Sequence, residues 1–267
     1  KKMAQKNFKL TSEYDLSIFK WFNKNNKKIN QKKIKIKYGE NPNQKAYFVK
    51  NNNSNIFNSQ INGKAIGYNN ILDISEGLGC LNEFHEPTCV IIKHNNPCGV
   101  ASSSKINTAY LKAVESDPIS AFGGVVLMNY KINIELAKLI NQKFYEVIVA
   151  PKFDNDALEI LKLKNKLVII DSSNLKEKSI MQYKSVTSGI LFQEKNNFKI
   201  TKSKIKLVSN RKSPNKIIDD MIFAFKVVKH VKSNAIVLAN NRQTIGIGAG
   251  QMSRLDSTRI AILKYKD

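Results

Sequence analysis

The stretch that decides the fold covers residues 88–101 and reads T-C-V-I-I-K-H-N-N-P-C-G-V-A. Its apolar, β-branched start is typical of a strand that is buried on both faces. Lys93 and His94 follow where this strand ends, and the Pro-Cys-Gly at residues 97–99 predicts a turn soon after them. In open α/β sheets, ligands bind where strands run out into loops, so a site is expected at this strand end.

Lys93 and His94 form a pair that suits proton transfer. A neighbouring ammonium group disfavours protonation of an imidazole, which would keep His94 neutral and able to accept a proton. The alternative is a polar strand end whose Lys and His side chains face water. These two residues alone favour that alternative, and the site hypothesis depends on the motifs elsewhere in the chain.

The chain is strongly basic. Its 267 residues include 44 Lys or Arg and 21 Asp or Glu, which gives a net charge of +23. Such a charge can indicate nucleic-acid binding. The lysines, however, are spread among Asn and Ile along the whole chain. Arginine, whose guanidinium group makes bidentate hydrogen bonds to phosphates and bases, is scarce. A solvated basic surface is therefore the favoured interpretation, with no nucleic-acid partner.

Other classes of protein are also disfavoured by the sequence. No apolar run reaches the roughly 18 residues of a membrane span, and the basic N-terminus lacks the apolar core of a signal peptide. Cys80, Cys89 and Cys98 form no C-x-x-C pair, so a reducing cytoplasm is expected. Zinc is not expected either, because Ala101 stands where the P-C-x-x-C pattern of zinc deaminases needs its second Cys.

The rest of the chain alternates apolar strands with amphipathic helices. Helices are predicted over residues 11–22, 71–84 and 106–114, and from residue 213 onward. In the last of these helices, Met221 and Phe225 are predicted to face the core. Strands are predicted over residues 125–128, 147–149, 167–170, 189–193, 235–238 and 244–249. This alternation indicates an α/β protein with right-handed crossovers and a largely parallel sheet.

Three further stretches contain turn or glycine signals. Residues 37–44 (K-Y-G-E-N-P-N-Q) predict a turn that suits an anionic ligand and an ordinary hairpin loop equally well. Residues 117–124 (D-P-I-S-A-F-G-G) predict a loop where backbone comes close to a ligand, or simply a loop before a strand. The glycines at alternate positions over residues 246–250 are no dinucleotide fingerprint, because Gln251 stands where the next glycine is required.

Six segments together resemble the AICAR transformylase half of the bifunctional family that also carries IMP cyclohydrolase. They are K-Y-G-E-N-P-N-Q, Y-N-N-I-L-D, I-I-K-H-N-N-P-C-G-V-A, S-D-P-I-S-A-F-G-G, V-K-H-V-K-S-N-A-I-V-L-A and I-G-I-G-A-G-Q-M-S-R-L-D-S-T-R-I-A, in the family's order. The resemblance implies cytidine-deaminase-like, three-layer α/β subdomains with a mixed, largely parallel sheet. It also implies a tail of the cyclohydrolase domain and a linker over residues 1–31, a first subdomain over 32–200 and a truncated second subdomain over 201–267.

The resemblance implies formyl transfer from 10-formyltetrahydrofolate to the 5-amino group of AICAR, giving FAICAR in purine biosynthesis. That amine is a poor nucleophile, so catalysis must remove its proton during attack and stabilise the oxyanion that develops on the formyl group. His94 matches the family's general base, Lys93 its neighbour, and Asn234 a residue that orients the ligand and the histidine. The family's nucleotide contacts fall on Lys37, Tyr38, Phe122, Gly123, Glu146 and Arg254.

The same resemblance implies AICAR and the folate as small-molecule partners, a homodimer of the full-length protein, no zinc, and room for a monovalent cation. Lys37 replaces the family's usual Arg and loses a bidentate fork for phosphate. The family continues beyond Asp267, so residues 1–267 alone are not expected to catalyse the transfer at a useful rate. Two alternatives stay open: a basic nucleotide- or RNA-binding module, and a non-catalytic truncated remnant.

Overall fold

The structure, a computed structural model, describes residues 3, 5–6, 10–16, 33–49, 55–175, 181–211 and 213–265. The chain divides into a smaller unit, Lys1–Asn53, and a larger unit, Ser54–Asp267. In the smaller unit, residues 10–16 are helical, while residues 17–22 of the predicted helix lie outside the described part. Strands β1 (Lys33–Ile36) and β2 (Ala46–Val49) pair antiparallel, and the predicted turn joins them.

The larger unit is built on one mixed sheet. Its strands, in chain order, are β3 (Gln60–Asn62), β4 (Thr88–Lys93), β5 (Asn96–Ser102), β6 (Val125–Met128), β7 (Val147–Ala150), β8 (Val168–Asp171), β9 (Met181–Val186), β10 (Gly189–Glu194), β11 (Ile236–Asn240) and β12 (Gln243–Gly248). Eight of these strands form the sheet in the order β11-β12-β5-β4-β6-β7-β8-β3, and β9 pairs only with β10 in the described chain. The pairs β6–β7 and β7–β8 are parallel and the others antiparallel, which confirms an α/β fold with a mixed sheet.

Helices cover both faces of this sheet. They are α1 (Tyr68–Leu81), α2 (Ile106–Ser116), α3 (Pro118–Ala121), α4 (Ile134–Asn141), α5 (Asn155–Lys162), α6 (Asn215–Val228) and α7 (Arg254–Leu263), with a 3-10 turn at Lys202–Lys204. Residues of α2, α4 and α5 belong to one apolar core cluster, and residues of α1 and α6 belong to a second. Alternate residues of β4 enter the two clusters, so this strand is buried on both faces, as its sequence predicts.

The turn after β4 lies earlier than predicted. The Pro-Cys-Gly at residues 97–99 belongs to β5, and the chain reverses at His94 and Asn95, whose φ angles are 52° and 61°. Proline is tolerated inside a sheet at a bulge, where its missing N–H leaves no ladder bond unmade. Pro97 pairs with Ile92 next to a register shift between β4 and β5, so the strand accommodates the proline at this irregularity.

The buried face of α6 also differs from the prediction. Met221 and Phe225, which were predicted to face the core, are 55% and 41% exposed. The helix instead buries Asp220, Phe223 and Val227. A buried carboxylate requires hydrogen-bond partners from elsewhere in the fold, and a hydrophobic pattern along one helix cannot show them.

The three cysteines are free thiols in the core. Burial raises the pKa of the Cys80 and Cys89 thiols far above their ordinary value, and it raises the pKa of Cys98 to about 12. Thiols with such pKa values stay protonated at neutral pH and are poor nucleophiles. Separately, the helices of the described chain include none that is long and apolar enough to cross a membrane.

Two parts of the larger unit repeat one helix–hairpin–helix arrangement. The first hairpin module, residues 68–117, contains α1, β4, β5 and α2 with its C-cap, and the second hairpin module, residues 215–264, contains α6, β11, β12 and α7 with its C-cap. A shift of 147 residues, the difference between 73 and 220, carries Asp73 onto Asp220 and α1 onto α6. The predicted boundary after residue 200 falls between the modules, and the predicted division into domains stays a proposal.

The repeat extends to the fine geometry of the hairpins. Each of the two strand ladders has a register shift, and the two shifts are also 147 residues apart. A Cβ built on Gly99 would lie 2.0 Å from the carbonyl oxygen of Ala113 on α2, and one built on Gly246 would lie 2.0 Å from that of Ala261 on α7. In both modules, glycine therefore lets the following helix pack directly on the strand.

Candidate functional site

Lys93 is fixed at the end of β4 by the loop that follows α3. Its ammonium group donates a hydrogen bond to the carbonyl oxygen of Phe122. Gly123, with a φ of 70°, donates its backbone N–H to the Phe144 carbonyl at 2.9 Å, and the Phe122 and Phe144 rings pack with centroids 5.2 Å apart. The structure thus brings three predicted site residues, Lys93, Phe122 and Gly123, into one cluster.

His94 occupies the first position of the β4–β5 turn, with its side chain exposed. The backbone around it is held by Asn96, whose amide donates to the His94 carbonyl at 3.2 Å and whose Oδ1 accepts from the Lys232 backbone N–H at 2.9 Å. Lys232 lies just after α6, so this contact ties the first hairpin module to the second. The imidazole is accessible to a substrate while its backbone is tied down.

A pocket of 440 Å³ opens beside Lys93 and His94. That volume falls in the usual range of small-molecule sites. Both hairpin modules supply its walls, the first with Lys93, His94 and Asn96 and the second with Ile247, Gln251 and Lys264. The pocket combines apolar surface with convergent cationic and amide groups, a composition that can bind an anionic or strongly polar ligand and transfer a proton.

Lys264 lines the pocket and is paired with Asp117, and the sequence analysis missed both residues. Asp117 accepts from the Ser120 backbone N–H at 2.9 Å, which caps α3, and from the Lys264 ammonium at 2.5 Å. Burial raises the pKa of the Asp117 carboxyl, but the hydrogen bonds from Lys264 and Ser120 outweigh burial and leave its pKa below the ordinary value. The Asp-Pro at the start of α3 indicates the cap, whereas no local pattern points to Lys264.

Asn234 contacts the segment that carries Gln251 of the pocket lining. Its side-chain amide donates to the carbonyl oxygens of Gln251 and Met252, each at 3.0 Å. The hydroxyl of Ser257 donates to the Asn234 carbonyl at 2.8 Å. Asn234 therefore shapes the segment that presents Gln251 to the pocket, and the structure shows its amide on that segment rather than on His94.

Arg254 and Glu146 lie on separate elements and do not line the pocket. Arg254 is the exposed first residue of α7, after Ser253, whose hydroxyl caps the helix. Glu146 stands just before β7, where its carboxylate accepts from the Asn70 amide at 3.1 Å and pairs with Lys64 at 3.4 Å. The structure therefore does not bring Arg254 into the Lys93 cluster, whereas the Glu146 backbone N–H bonds to the chain one residue after Gly123.

Lys37 and Tyr38 belong to the smaller unit, in the turn between β1 and β2. The Lys37 ammonium lies 5.8 Å from the centroid of the Tyr38 ring. The turn is closed by the Gly39 backbone N–H on the Gln44 carbonyl at 2.8 Å and by Asn41 on the Gln44 side chain. A cation and a phenol thus share the mouth of a well-formed turn, as their spacing predicts.

Asp73 is a third residue that the sequence analysis missed. It lies on the buried face of α1, and its carboxylate accepts from the Asn95 backbone N–H at 2.6 Å. An acidic residue on the apolar stripe of a predicted helix is a signal that was available, because a carboxylate is rarely buried without partners. The sequence could not say which group it binds.

A larger pocket of 710 Å³ lies away from these residues, around an ion pair between Lys229 and Glu83. The Lys229 side chain is 5% exposed and its ammonium lies 2.6 Å from the Glu83 carboxylate. None of the predicted site residues lines this pocket. Among the residues that the structure describes, no group of His, Cys, Asp and Glu side chains is arranged to hold a metal ion.

Comparison with known proteins identifies the family of this chain. The model of the AICARFT/IMPCHase bienzyme matches residues 1–264. The chain belongs to the AICARFT/IMPCHase bienzyme family. Proteins named bifunctional purine biosynthesis protein PurH are 45% identical in Caldicellulosiruptor bescii, 41% in Buchnera aphidicola and 38% in Staphylococcus epidermidis.

The match covers the chain far more fully than it covers these relatives. The match to the Caldicellulosiruptor bescii protein covers 99% of this chain and 54% of that protein. The match to the Staphylococcus epidermidis protein covers 98% of this chain and 52% of that protein. The chain therefore spans about half the length of the curated relatives that it matches. The resemblance inferred from the six sequence segments is confirmed at the level of the family.

Proposed function

We propose that the protein transfers a formyl group from 10-formyltetrahydrofolate to the 5-amino group of AICAR, giving FAICAR in purine biosynthesis. The observation that carries this proposal is the Lys93-His94 pair, placed at the end of a buried strand and on the wall of a 440 Å³ pocket. Membership of the AICARFT/IMPCHase bienzyme family supports the choice of substrates.

In the proposed reaction, the AICAR nitrogen attacks the formyl carbon, and a new carbon–nitrogen bond forms. His94 takes the proton that the amine loses, and the carbonyl oxygen becomes an oxyanion. The bond from the formyl carbon to the folate nitrogen then breaks, and that nitrogen leaves with a proton. Lys93, held by the Phe122 carbonyl, supplies positive charge beside the reacting groups.

The predicted nucleotide contacts are proposed residue by residue. In the smaller unit, Lys37 and Tyr38 offer a cation and a phenol. In the larger unit, Arg254 offers an exposed cation. Gly123 places its backbone beside Lys93, since a Cβ built at this position would lie 3.8 Å from the Lys93 ammonium. The remaining proposed residues are Phe122, Glu146 as a carboxylate for ribose hydroxyls, and Asn234 as the support of the Gln251 wall.

The proposal extends to the whole protein. In this proposal, a protein of full natural length is a homodimer in a reducing cytoplasm and acts on small-molecule substrates. It carries IMP cyclohydrolase activity as well, and any ion that it requires is a monovalent cation. A basic nucleotide- or RNA-binding module would instead show affinity that falls steeply with salt and no requirement for His94. That alternative is less favoured, because the cationic groups of the pocket are paired with carbonyl or carboxylate oxygens.

The test is His94→Ala in the protein of full natural length. Removal of a general base is expected to lower the rate of formyl transfer by about 10²- to 10⁴-fold, with AICAR binding by calorimetry largely unchanged. His85→Ala is the matched control, since His85 is also exposed and lies outside the pocket lining. A His94→Ala protein that turns over within about threefold of the parent would exclude His94 as the base.

A further inference from the structure

The turn that carries His94 adopts an unfavourable conformation. His94 and Asn95 both have left-handed φ angles, 52° and 61°, which side chains other than glycine adopt at a cost in free energy. Asn95 Oδ1 is buried, and no group in the described part of the chain donates a hydrogen bond to it. Such a turn persists only where its surroundings hold it.

Asp73 is the side chain that holds this turn from the neighbouring helix. Its Oδ1 accepts from the Asn95 backbone N–H at 2.6 Å, and Asp73 is 8% exposed. Hydrogen bonds from a backbone N–H to a carboxylate are short and strong. The carboxylate therefore fixes the backbone one residue after the proposed general base.

The ionised form of Asp73 is less favourable in the folded protein than in the unfolded chain. Burial raises the pKa of its carboxyl, and the nearby Glu146 carboxylate also raises it. The Asn95 N–H, the His94 imidazole and the His94 N–H lower the pKa, but burial outweighs them. Where folding raises the pKa of a carboxyl group, the protonated group favours the folded state. The free energy of unfolding then falls as the pH rises from the unfolded pKa through the folded pKa. Asp73 is therefore a poor choice for stability alone.

Asp220 shows the same arrangement in the second hairpin module. It lies on α6, and its carboxylate accepts from the backbone N–H groups of Asn241 and Arg242 at 3.0 and 2.9 Å. Those two residues also have left-handed φ angles, 50° and 54°, in the β11–β12 turn. That turn does not line the pocket, so Asp220 is a natural reference for the effect of such a carboxylate on folding alone.

We propose that Asp73 is a positioning residue for formyl transfer: it binds the Asn95 N–H and so fixes the left-handed turn that aims the His94 imidazole at the pocket. This inference rests on the proposed function of His94. Asp73 touches neither substrate, and its effect on the rate passes through the geometry of His94. A misplacement of about 1 Å can cost on the order of 10²-fold in rate, so loss of the carboxylate affects turnover.

The experiment compares Asp73→Asn and Asp73→Ala with Asp220→Asn in the protein of full natural length. Asn keeps one of the two acceptor oxygens of the carboxylate, and Ala removes both. We expect kcat to fall by about 10-fold in Asp73→Asn and about 100-fold in Asp73→Ala, with KM for AICAR nearly unchanged. We expect the Tm of Asp73→Asn to be equal to or above that of the parent.

Asp220→Asn should give the opposite pattern, a lower Tm with kcat nearly unchanged. The inference is wrong if Asp73→Ala keeps the parent's kcat, or if the losses in kcat follow losses in Tm as they would for a purely structural residue. A second measurement needs no variant: the Asn95 amide should exchange with solvent more slowly than in an unfolded chain, and unprotected exchange would also overturn the proposal.

The proposed function and this inference fail in different ways. If the parent protein does not transfer formyl groups, or if His94→Ala retains activity, the proposed function is wrong. If the parent is active and requires His94, the double variant Asp73→Asn, His94→Ala decides the route of the effect. A positioning residue adds little to the loss that His94→Ala already causes, whereas an independent effect of Asp73 would add in full.

Discussion

The two hairpin modules share one architecture and occupy different places in the sheet. In the first, β4 lies between β5 and β6, and its first five residues are buried. In the second, β11 is an edge strand that pairs with β12, and most of its residues are only partly buried. Lys93 and His94 stand at the turn of the buried hairpin. The rigid interior position thus carries the proposed chemistry, and the edge hairpin supplies a wall.

The pocket depends on both modules because it lies at their junction. Lys93 and His94 come from the first, and Gln251 and Lys264 come from the second. The second module has only Asn241 and Arg242 at the turn that corresponds to His94 and Asn95. Repetition of the backbone therefore does not repeat the chemistry, and the difference between the modules can be tested at the equivalent positions.

Exchange of the turn residues gives the largest expected effect. His94→Asn places in the first module the residue that the second has at position 241, and Asn tolerates a left-handed φ well. We expect the Tm to be unchanged and formyl transfer to fall by about 10²- to 10⁴-fold. Asn241→His is the control and should leave turnover intact. Equal losses of turnover in both variants would show that the two turns are not functionally distinct.

Much of the difference between the two modules could not be predicted from the sequence pattern, for physical reasons. Apolar runs and local periodicity predict β4, α2 and β7, since the two strands are apolar on both faces and the apolar residues of α2 pack into one core cluster. The pattern fails at residues 97–99, where a bulge accommodates Pro97. It also fails on α6, where the buried residues are Asp220, Phe223 and Val227 rather than Met221 and Phe225. Partners 22 residues apart, such as Asp73 and Asn95, become visible only once the chain is folded.

The residues of the candidate site were not all equally predictable from the sequence. Lys93 and His94 could be found from a strand that ends in polar residues, and the family resemblance added Asn234. Asp117 and Lys264, which are 147 residues apart in sequence, share no local motif. The sequence therefore indicates the proposed reactive groups more readily than the residues that hold them, because support comes from long-range contacts.

The glycines beneath α2 and α7 give the next largest effect. Gly99→Ala and Gly246→Ala would each place a Cβ about 2.0 Å from a helix carbonyl oxygen, so the helix must shift. Overpacking of this kind costs about 1–3 kcal/mol or more, and we expect the larger fall in Tm for Gly99→Ala. Residues of α2 belong to the apolar core, whereas Leu255 and Leu263 of α7 are 58% and 83% exposed. Equal falls in Tm would mean that both helices are packed with equal rigidity.

The smallest expected effect concerns the ion pair that joins the Lys264 wall to the α3 cap. Lys264→Met keeps most of the side chain's length but removes the charge from Asp117, which is 9% exposed. The Lys264 side chain is 37% exposed, so solvent screening reduces the expected cost to about 1 kcal/mol in the free energy of unfolding. Denaturant unfolding of the parent and of the variant at neutral pH measures this difference.

The pH dependence of that difference separates the ion pair from simple packing. The pKa of Asp117 is lowered in the folded protein, so its contribution is fully present above the pKa of the unfolded chain and is lost as the pH falls through the folded pKa. The stability gap between the parent and Lys264→Met should therefore shrink below about pH 4, where Asp117 takes up a proton. Lys264→Arg, which keeps the charge, should stay close to the parent throughout. A gap that is constant down to pH 3 would show that Lys264 acts through its aliphatic stem, and the junction between the modules would then be held by packing rather than by charge.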